Sequence, residues 1–361
     1  MSNKILNWYG SFSQGAGYSG SSEKLCLALE EQGADIRLVW FNRGDLETNM
    51  TKQGRELRKK DFKLGDVGIA YGLPNAFTSI RNKIKIGYTM FETDKLPRTN
   101  KPNDWSGETG QPEHNINQLD KLLVPSLHNK KIFQQEGVNI PIEVVHLGID
   151  PSQYEVIKRP KRDTFTFLMY GVLTIRKNPG AALSAFLDLF KHRDDVRIIF
   201  KTHSGTMGHI EMPYDNVKII DEYTTPEKMR DYLFEADAFV FPSRGEGFGL
   251  PPMEAMATGL PTIFTDCTGM SEYANKEYNY PVPISGKSPA KRFPRKWGDV
   301  GNWYEIDYNR LKETMLHVVN NREEAKEKGL KAADWVRRKW TYNNTADKIL
   351  EVVEKLKQDK L

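Results

Sequence analysis

Cysteine is scarce in this sequence, and its scarcity excludes two kinds of stabilising cross-link. Only Cys26 and Cys267 occur among 361 residues, and neither stands in a CxxC or Cys/His spacing. Two isolated cysteines make neither a disulfide framework nor a zinc site, so we expect both to be reduced, structural thiols.

Long apolar runs are missing as well. No stretch has the length of a membrane-spanning helix, and the start, MSNKILNWYG, lacks the apolar core of a signal peptide. A hydrophobic content of 39% is still sufficient for packed cores of two ordinary domains. The sequence therefore predicts a globular protein that stays in the cytoplasm.

Excess charge is also small, because 52 basic and 48 acidic residues leave a net charge of only +4. Basic residues cluster at Arg55–Lys63 and Lys287–Lys296. These clusters have two interpretations. In the first, one is an exposed helix end and the other a mobile loop; in the second, both are patches that face anionic lipid or an anionic acceptor. No basic stripe with interleaved aromatics is present, so we expect no nucleic-acid partner.

Segments with strand character alternate with helical segments over most of the chain, which is typical of βα units on parallel sheets. The first series begins with Lys4–Tyr9 and the second with Phe165–Tyr170, separated by the polar, predicted linker Asp150–Asp163. From about Tyr308 the pattern predicts helices only. Ligands of such sheets bind beyond the carboxyl ends of the strands.

Some helix starts are marked by a polar residue followed by proline. Asn178 and Thr225 each stand in this position and are predicted to cap the helices that follow. A further helix is predicted over Pro252–Thr258.

The strongest chemical signal is the segment SRGEGFGLPPMEAMATGLP, residues 243–261. Its glycines leave backbone amides uncovered, and the predicted helix start adds unpaired N–H groups and a positive dipole end, which suits a diphosphate. Glu246 and Glu254 stand eight residues apart. Carboxylates accept paired hydrogen bonds from the vicinal hydroxyls of a sugar or ribose.

This segment resembles the E-x7-E signature of retaining glycosyltransferases with the GT-B fold, specifically family 4, also called glycosyl transferases group 1. The resemblance implies that Glu246 holds sugar hydroxyls and that Glu254 holds the nucleotide ribose. It also implies that the amides of Phe248, Gly249 and Leu250 lie against the donor sugar and diphosphate.

A second segment, GVLTIRKNP, resembles the same family at the first strand–helix junction of its second domain. Members place an arginine just after the glycine that matches Gly171, and a lysine five residues later, both on the diphosphate. Lys177 fits the lysine, whereas Val172 stands where the arginine is usual, and we expect Arg176 to supply that charge. Fixed positive charge stabilises a leaving diphosphate, and the resemblance implies no metal and no cofactor.

The first domain has a formal G-x-G-x-x-G at Gly15, Gly17 and Gly20. Taken alone it suggests a dinucleotide fingerprint, but it starts about six residues past the strand, and residues 40–42 lack the expected acid. The resemblance implies instead a loop near the donor phosphates and the acceptor. Glu92, in TMFETDKLP, is then a candidate acceptor contact; the alternative is a loop carboxylate with a structural hydrogen bond.

The resemblance as a whole implies an α/β protein of the GT-B fold, with two Rossmann-like parallel-sheet domains that face each other across a cleft. We expect an acceptor domain over 1–155, a nucleotide-sugar donor domain over 156–340, and a helix over 341–361 that crosses back to the first domain. The implied reaction is a retaining, metal-independent, front-face sugar transfer. The donor is a UDP- or GDP-linked sugar, and the acceptor is a glycan, lipid-linked or other molecule.

Several alternatives stay open. The same fold hosts nucleotide-sugar epimerases and phosphorylases, although no pyridoxal-binding lysine context is present for the latter. Gly15–Gly20 leaves a nicotinamide oxidoreductase as a weaker rival. Because Val172 stands where the family has an arginine, a catalytically inactive nucleotide-sugar-binding protein is a further alternative. For all of these alternatives the expected location is cytoplasmic, with or without peripheral contact at the inner membrane face.

Overall fold

The computed structural model describes residues 4–12, 17–40, 50–98, 111–203, 212–291 and 298–360. The chain divides into two compact units. Unit 1 comprises residues 1–148, 290–301 and 340–361, and unit 2 comprises residues 149–289 and 302–339.

The described strands of unit 1 form a six-stranded sheet in which all neighbours are parallel. In chain order, its strands and helices are β1 Ile5–Gly10, α1 Tyr18–Glu31, β2 Asp35–Trp40, α2 Lys52–Arg58, β3 Val67–Tyr71, β4 Ile84–Tyr88, α3 Pro112–Ile116, β5 Lys121–Val124, α4 Leu127–Gln135 and β6 Ile142–Val144. The strand order is β2-β1-β3-β4-β5-β6. The strand β3 is buried along its whole length, as expected for a parallel sheet covered on both faces.

Unit 2 contains a second six-stranded parallel sheet in the order β12-β11-β10-β7-β8-β9. Its elements in chain order are β7 Phe165–Tyr170, α5 Pro179–Phe190, β8 Val196–Thr202, β9 Val217–Asp221, α6 Pro226–Glu235, β10 Ala238–Phe241, α7 Leu250–Ala257, β11 Thr262–Thr265, β12 Tyr280–Val282, β13 Ile284–Pro289, β14 Asn302–Ile306, α8 Tyr308–Asn320 and α9 Arg322–Lys339. Most of the predicted strands and helices are confirmed, with ends that coincide or differ by up to three residues.

The hairpin of β13 and β14 was absent from the prediction. The two strands pair antiparallel, and the sequence ISGKSP lacks the branched and aromatic side chains that mark a strand. Lys287 therefore lies in a strand and not in a loop, which corrects the expectation for the second basic cluster. Residues 292–296 of that cluster lie outside the described residues.

The segment between these two strands belongs to unit 1. Val300 is buried in the unit 1 core with Phe91. Thr93 Oγ1 donates to the Val300 carbonyl at 2.6 Å, and Lys95 Nζ lies 2.8 Å from an Asp299 carboxylate oxygen. Burial of Val300 thus explains why residues 290–301 separate from the donor-domain range that the sequence suggested.

The last helix, α10 Tyr342–Lys360, packs on α1 in unit 1. Its buried side chains include Ile349, Val352 and Val353, which recur at helical spacing. Trp335 lies in α9 and stacks on Tyr278 in unit 2 at 4.7 Å between ring centroids.

Gly148 gives a direct test of the way the C-terminal segment is held in unit 1. A Cβ at Gly148 would overlap the backbone of Thr341. We expect Gly148→Ala to lower the free energy of unfolding by about 1–3 kcal/mol, because backbone cannot yield as a flexible side chain can. Urea unfolding monitored by tryptophan fluorescence measures the change.

The matched control is Gly180→Ala in α5, where an added Cβ meets nothing within 4 Å. This variant is expected to be neutral or stabilised by about 0.5–1 kcal/mol, because alanine favours a helix over glycine. Equal stability of Gly148→Ala and wild type would contradict the close approach of Thr341.

Candidate functional site

The glycine-rich segment connects the end of β10 to the start of α7. The helix begins at Leu250, two residues before the predicted start, because Pro251 and Pro252 occupy first-turn positions that need no N–H partner. Gly249 precedes it with φ of 92°, a left-handed conformation that favours glycine. The Tyr273 hydroxyl donates to the Gly249 carbonyl at 2.7 Å and fixes this turn.

Glu246, in the middle of this segment, is almost fully buried and meets two cations. Arg176 Nη1 lies 2.9 Å from Glu246 Oε2, and Lys177 Nζ lies 3.0 Å from Oε1. Ser243 Oγ donates to the same Oε1 at 2.8 Å. The exposed fractions are 7% for Glu246 and 9% for Lys177. The structure thus brings Glu246, predicted to hold sugar hydroxyls, together with the two cations predicted to bind the diphosphate.

The pKa of Glu246 follows from these contacts. Burial by itself raises the pKa, but the charges of Arg176 and Lys177, with hydrogen bonds from Arg176 and Ser243, outweigh it and lower the pKa to about 2. Glu246 is therefore ionised throughout the physiological pH range.

The two cations come from the junction between β7 and α5. Gly171 directly follows the strand with φ of 124°, and residues 175–177 form a 3-10 turn. The Arg244 amide donates to the Arg176 carbonyl at 2.8 Å, which ties this turn to the glycine-rich segment. Lys177 Nζ also lies 4.7 Å from the ring centroid of Phe241.

One of the two predicted helix caps needs correction. Thr225 caps α6 as predicted, because its side chain accepts from the Lys228 amide at 3.3 Å. Asn178 precedes α5, but its side chain makes no capping hydrogen bond. Instead Asn178 takes φ of 58°, a left-handed conformation that asparagine tolerates, and ends the preceding 3-10 turn.

A strained turn at residues 267–269 holds the backbone of Glu246 on both sides. Thr268 Oγ1 accepts from the Glu246 amide at 2.9 Å, and the Gly269 amide donates to the Glu246 carbonyl at 3.0 Å. Thr268 has φ of 53°, which is unfavourable for a β-branched residue. A Cβ at Gly269 would overlap the Gly247 carbonyl, so only glycine permits this approach. The sequence reasoning missed Thr268, although TDCTG, residues 265–269 at the end of β11, was an available signal.

The second predicted carboxylate, Glu254, has a different environment on α7. Its Oε2 accepts from the Tyr170 hydroxyl at 2.9 Å, and its side chain is partly exposed. Tyr170 was also missed, since a tyrosine that ends a buried strand reads as core. Of the predicted amide donors, Phe248 is buried with its ring 5.8 Å from that of Tyr273.

The candidates in unit 1 lie near one end of its sheet. Gly17 is exposed, with φ of 80°, immediately before α1, and Gly15 lies outside the described residues. The hydroxyl of Tyr18 accepts from the Met90 amide at 2.9 Å, so the start of α1 meets the chain just past β4. Glu92 follows two residues later and is half-buried.

The described ranges hold neither a metal-binding cluster of side chains nor a membrane-spanning helix. They contain no group of three or more histidine, cysteine, aspartate or glutamate side chains suited to a metal ion. No helix within them has both the length and the apolar character to span a bilayer.

Cys26 and Cys267 are both free and buried, as predicted.

Residues 164–289 match the family described as "Glycosyl transferases group 1". This stretch includes Arg176, Lys177, Glu246 and Glu254. Over this stretch, about a third of the chain, the protein is similar to the glycosyl transferases group 1 family. The predicted resemblance is confirmed, although the implied retention of configuration stays a prediction.

Relatives similar in sequence match part of the chain, whereas solved structures of similar fold match nearly all of it. The lipopolysaccharide core biosynthesis mannosyltransferase LpsB of Rhizobium meliloti (strain 1021) is 45% identical over 132 residues, 35% of this chain and 35% of that protein. Sucrose-phosphate synthase from Thermosynechococcus elongatus aligns over 98% of this chain and 99% of its own, with a TM-score of 0.68 and 12% identity.

A third similar protein is Anabaena HepE in complex with UDP-glucose, which aligns over 97% of this chain and 99% of its own, with a TM-score of 0.65 and 12% identity. At such identities the two structures show the fold alone. It is the predicted GT-B fold, with a Rossmann-like parallel sheet in each unit.

The lowered pKa of Glu246 makes its contribution to stability depend on pH. Because ionisation is favoured in the folded state, the stabilisation is complete above the ordinary glutamate pKa and declines as pH falls toward 2. We expect the difference in unfolding free energy between wild type and Glu246→Gln to shrink by about 2 kcal/mol from pH 6 to pH 3. Urea unfolding at several pH values measures it.

Glu313→Gln, which alters an exposed carboxylate on α8, is the control and should follow wild type at each pH. A Glu246→Gln difference that stays constant over this range would show that the two cations do not favour the ionised carboxylate in the folded protein.

Proposed function

We propose that this protein is a retaining glycosyltransferase that moves a hexose from a UDP- or GDP-linked donor to a glycan or lipid-linked acceptor. The observation that carries the proposal is the buried cluster of Arg176, Lys177 and Glu246 at the glycine-rich segment before α7. The similarity to LpsB, named as a mannosyltransferase, supports a hexosyl donor and makes a mannosyl donor the first to test.

In this proposal the two cations stabilise the leaving diphosphate. Arg176 and Lys177 share one carboxylate, so the cluster keeps one net positive charge. A diphosphate that accumulates charge during bond cleavage is stabilised by positive groups already in place, without a bound metal. The amides of Phe248, Gly249 and Leu250 and the positive end of α7 add to this field. Gly171 leaves room beside Lys177, whose Cε would lie 3.7 Å from an added Cβ.

The two glutamates then differ in how many hydrogen-bond acceptor positions they keep for the donor. A carboxylate has about four acceptor positions. Among the described contacts, Glu246 uses three, for Arg176, Lys177 and Ser243, and keeps one for a sugar hydroxyl. Glu254 uses one for Tyr170 and keeps more, which suits the paired hydroxyls of a ribose.

The proposed chemistry is a front-face substitution. The bond from the anomeric carbon to the diphosphate breaks, the acceptor oxygen attacks from the same face, and the departing phosphate oxygen takes the acceptor proton. No protein general base is assigned, so the side chains contribute position and charge. Unit 1 is proposed to supply the acceptor contacts through Gly17 and Glu92. Gly15 is proposed as a further contact, although it lies outside the described residues.

Loss of the proposed donor contacts gives the main test. We expect Glu254→Ala and Lys177→Ala each to lower the rate of transfer at limiting donor (kcat/KM) by about 100-fold or more while the protein still melts cooperatively, because each removes a contact to the donor. Nucleotide release from GDP-mannose, UDP-glucose and UDP-N-acetylglucosamine, with and without sugar acceptors, measures this. Glu277→Ala, an exposed change in unit 2, is the control.

Other outcomes would identify the rivals. Normal turnover in both variants with the accepted donor would refute the site. Binding of a nucleotide sugar with no turnover, for which Val172 gives a reason, would favour an inactive binding protein. Interconversion of free nucleotide sugars would favour an epimerase, and oxidation of NADH an oxidoreductase.

A lipid-linked acceptor requires contact with a membrane surface. We propose that the loop after α2, in the first basic cluster, makes this peripheral contact. The exposed fractions of Phe62 and Leu64 are 61% and 54%. The buried side chain of Asn7 fixes this loop, because its Nδ2 donates to the Lys63 carbonyl at 2.9 Å and its Oδ1 accepts from the Gly65 amide at 2.8 Å. Fixed outward apolar side chains beside basic residues suit an anionic interface.

We expect the double variant Phe62→Ser/Leu64→Ser to sediment about 10-fold less with vesicles that contain phosphatidylglycerol, because it loses the inserted apolar surface. Leu330→Ser, which alters an exposed apolar residue of unit 2, is the control and should bind as wild type does. Equal sedimentation of wild type with neutral phosphatidylcholine vesicles, or no loss in the double variant, would contradict this placement.

A further inference from the structure

Tyr170 links the first strand of the unit 2 sheet to the helix that carries Glu254. It is the last residue of β7, and its hydroxyl lies 2.9 Å from Glu254 Oε2 and 3.2 Å from the Pro251 carbonyl. Its ring lies 5.0 Å from that of Phe239 in β10, measured between centroids. Neighbouring strands therefore hold the ring, and the hydroxyl is fixed below the first turns of α7.

The hydroxyl of Tyr170 is a permanent donor. Burial of Tyr170, with the adjacent charge of Glu254, raises the pKa of the phenol well above its ordinary value, so the proton stays in place at physiological pH. A single proton serves one acceptor at a time, and a carboxylate is the stronger acceptor than the Pro251 carbonyl. The hydrogen bond therefore goes to Glu254.

This bond limits the freedom of a side chain that otherwise has several rotamers. Pro251 and Pro252 fix the backbone of the first turn of α7, so the position of the Glu254 backbone is set. The remaining freedom lies in the side-chain torsions, and the contact with Tyr170 restricts them. One carboxylate oxygen, Oε2, is then held by the phenol.

We propose that Tyr170 is a positioning residue that orients the Glu254 carboxylate to accept both hydroxyls of the donor ribose. This inference rests on the proposed function, because it presumes that Glu254 binds the ribose. Tyr170 itself does not touch the ligand. A held carboxylate binds a diol more tightly than a mobile one, since less side-chain entropy is lost on binding.

The rival explanation is a structural tie between β7 and α7 with no role in binding. The two differ in their dependence on the ribose. A positioning role weakens ribonucleotides but leaves 2′-deoxyribonucleotides almost unaffected, since these cannot use the paired contact. A structural tie alters both nucleotides equally and lowers thermal stability.

The test is Tyr170→Phe, which removes one hydroxyl and keeps the ring. Calorimetric titration of the full chain uses whichever of GDP and UDP binds wild type more tightly, together with its 2′-deoxy analogue. We expect the affinity for the ribonucleotide to fall about 10-fold, that for the deoxynucleotide to change less than 2-fold, and kcat at saturating donor to stay within about 3-fold.

Tyr280→Phe is a matched control. Tyr280 has the same exposed fraction as Tyr170, 8%, and its hydroxyl donates to the Glu324 carboxylate at 3.2 Å. It should leave both affinities unchanged. A double variant with Glu254→Ala should bind no more weakly than Glu254→Ala alone, because the effect of Tyr170 passes through that carboxylate.

The outcomes separate the inference from the function on which it rests. Weaker binding by Glu254→Ala but unchanged binding by Tyr170→Phe overturns the role of Tyr170 and leaves the donor site intact. Equal losses for both nucleotides in Tyr170→Phe also overturn it. Unchanged binding in Glu254→Ala, or no nucleotide binding by wild type, overturns the proposed site itself.

Discussion

The unit 2 site depends on one buried carboxylate that pairs with two cations. Neither Glu246 nor Lys177 could be buried alone, since an unpaired charge in the interior costs several kcal/mol. Their contact joins the loop after β7 to the loop after β10 at the carboxyl edge of the sheet. These two strands are neighbours, so parallel pairing places both loops at one edge before any side chain acts.

Backbone geometry around this pair is under more strain than the sheet below it. Thr268 and Asn178 both take left-handed conformations that glycine would accept at lower cost. Each is beside the cluster: Thr268 binds the Glu246 amide, and Asn178 directly follows Lys177. Strain of this kind persists only where surrounding contacts outweigh it, and here the contacts are those that fix the orientation of Glu246.

Much of the fold could be predicted from the sequence, because buried parallel strands such as Phe165–Tyr170 are near-continuous apolar runs. That Arg176, Lys177 and Glu246 belong to one site was implied by the family resemblance. What could not be predicted depends on tertiary contact. The β13–β14 hairpin has weak strand propensity and forms through pairing, and Val300 joins unit 1 by burial distant from its sequence neighbours. Tyr170 carries no motif, since its role arises only when α7 lies beside it.

The different depths of the two glutamates also limit how they can act in the proposed reaction. Glu246 cannot rotate without losing its contacts with Arg176 and Lys177, so it offers one fixed acceptor position and keeps the cations in place. Glu254 has no such constraint and is held by a neutral phenol, so its orientation is set at small electrostatic cost. In the proposed reaction, Glu246 is the rigid group near developing charge and Glu254 is the oriented acceptor of the ribose diol, so transition-state stabilisation and donor recognition fall to separate side chains. On that proposal, substitution at Glu254 acts mainly on donor binding, whereas substitution at Glu246 disturbs the charge balance on which bond cleavage depends.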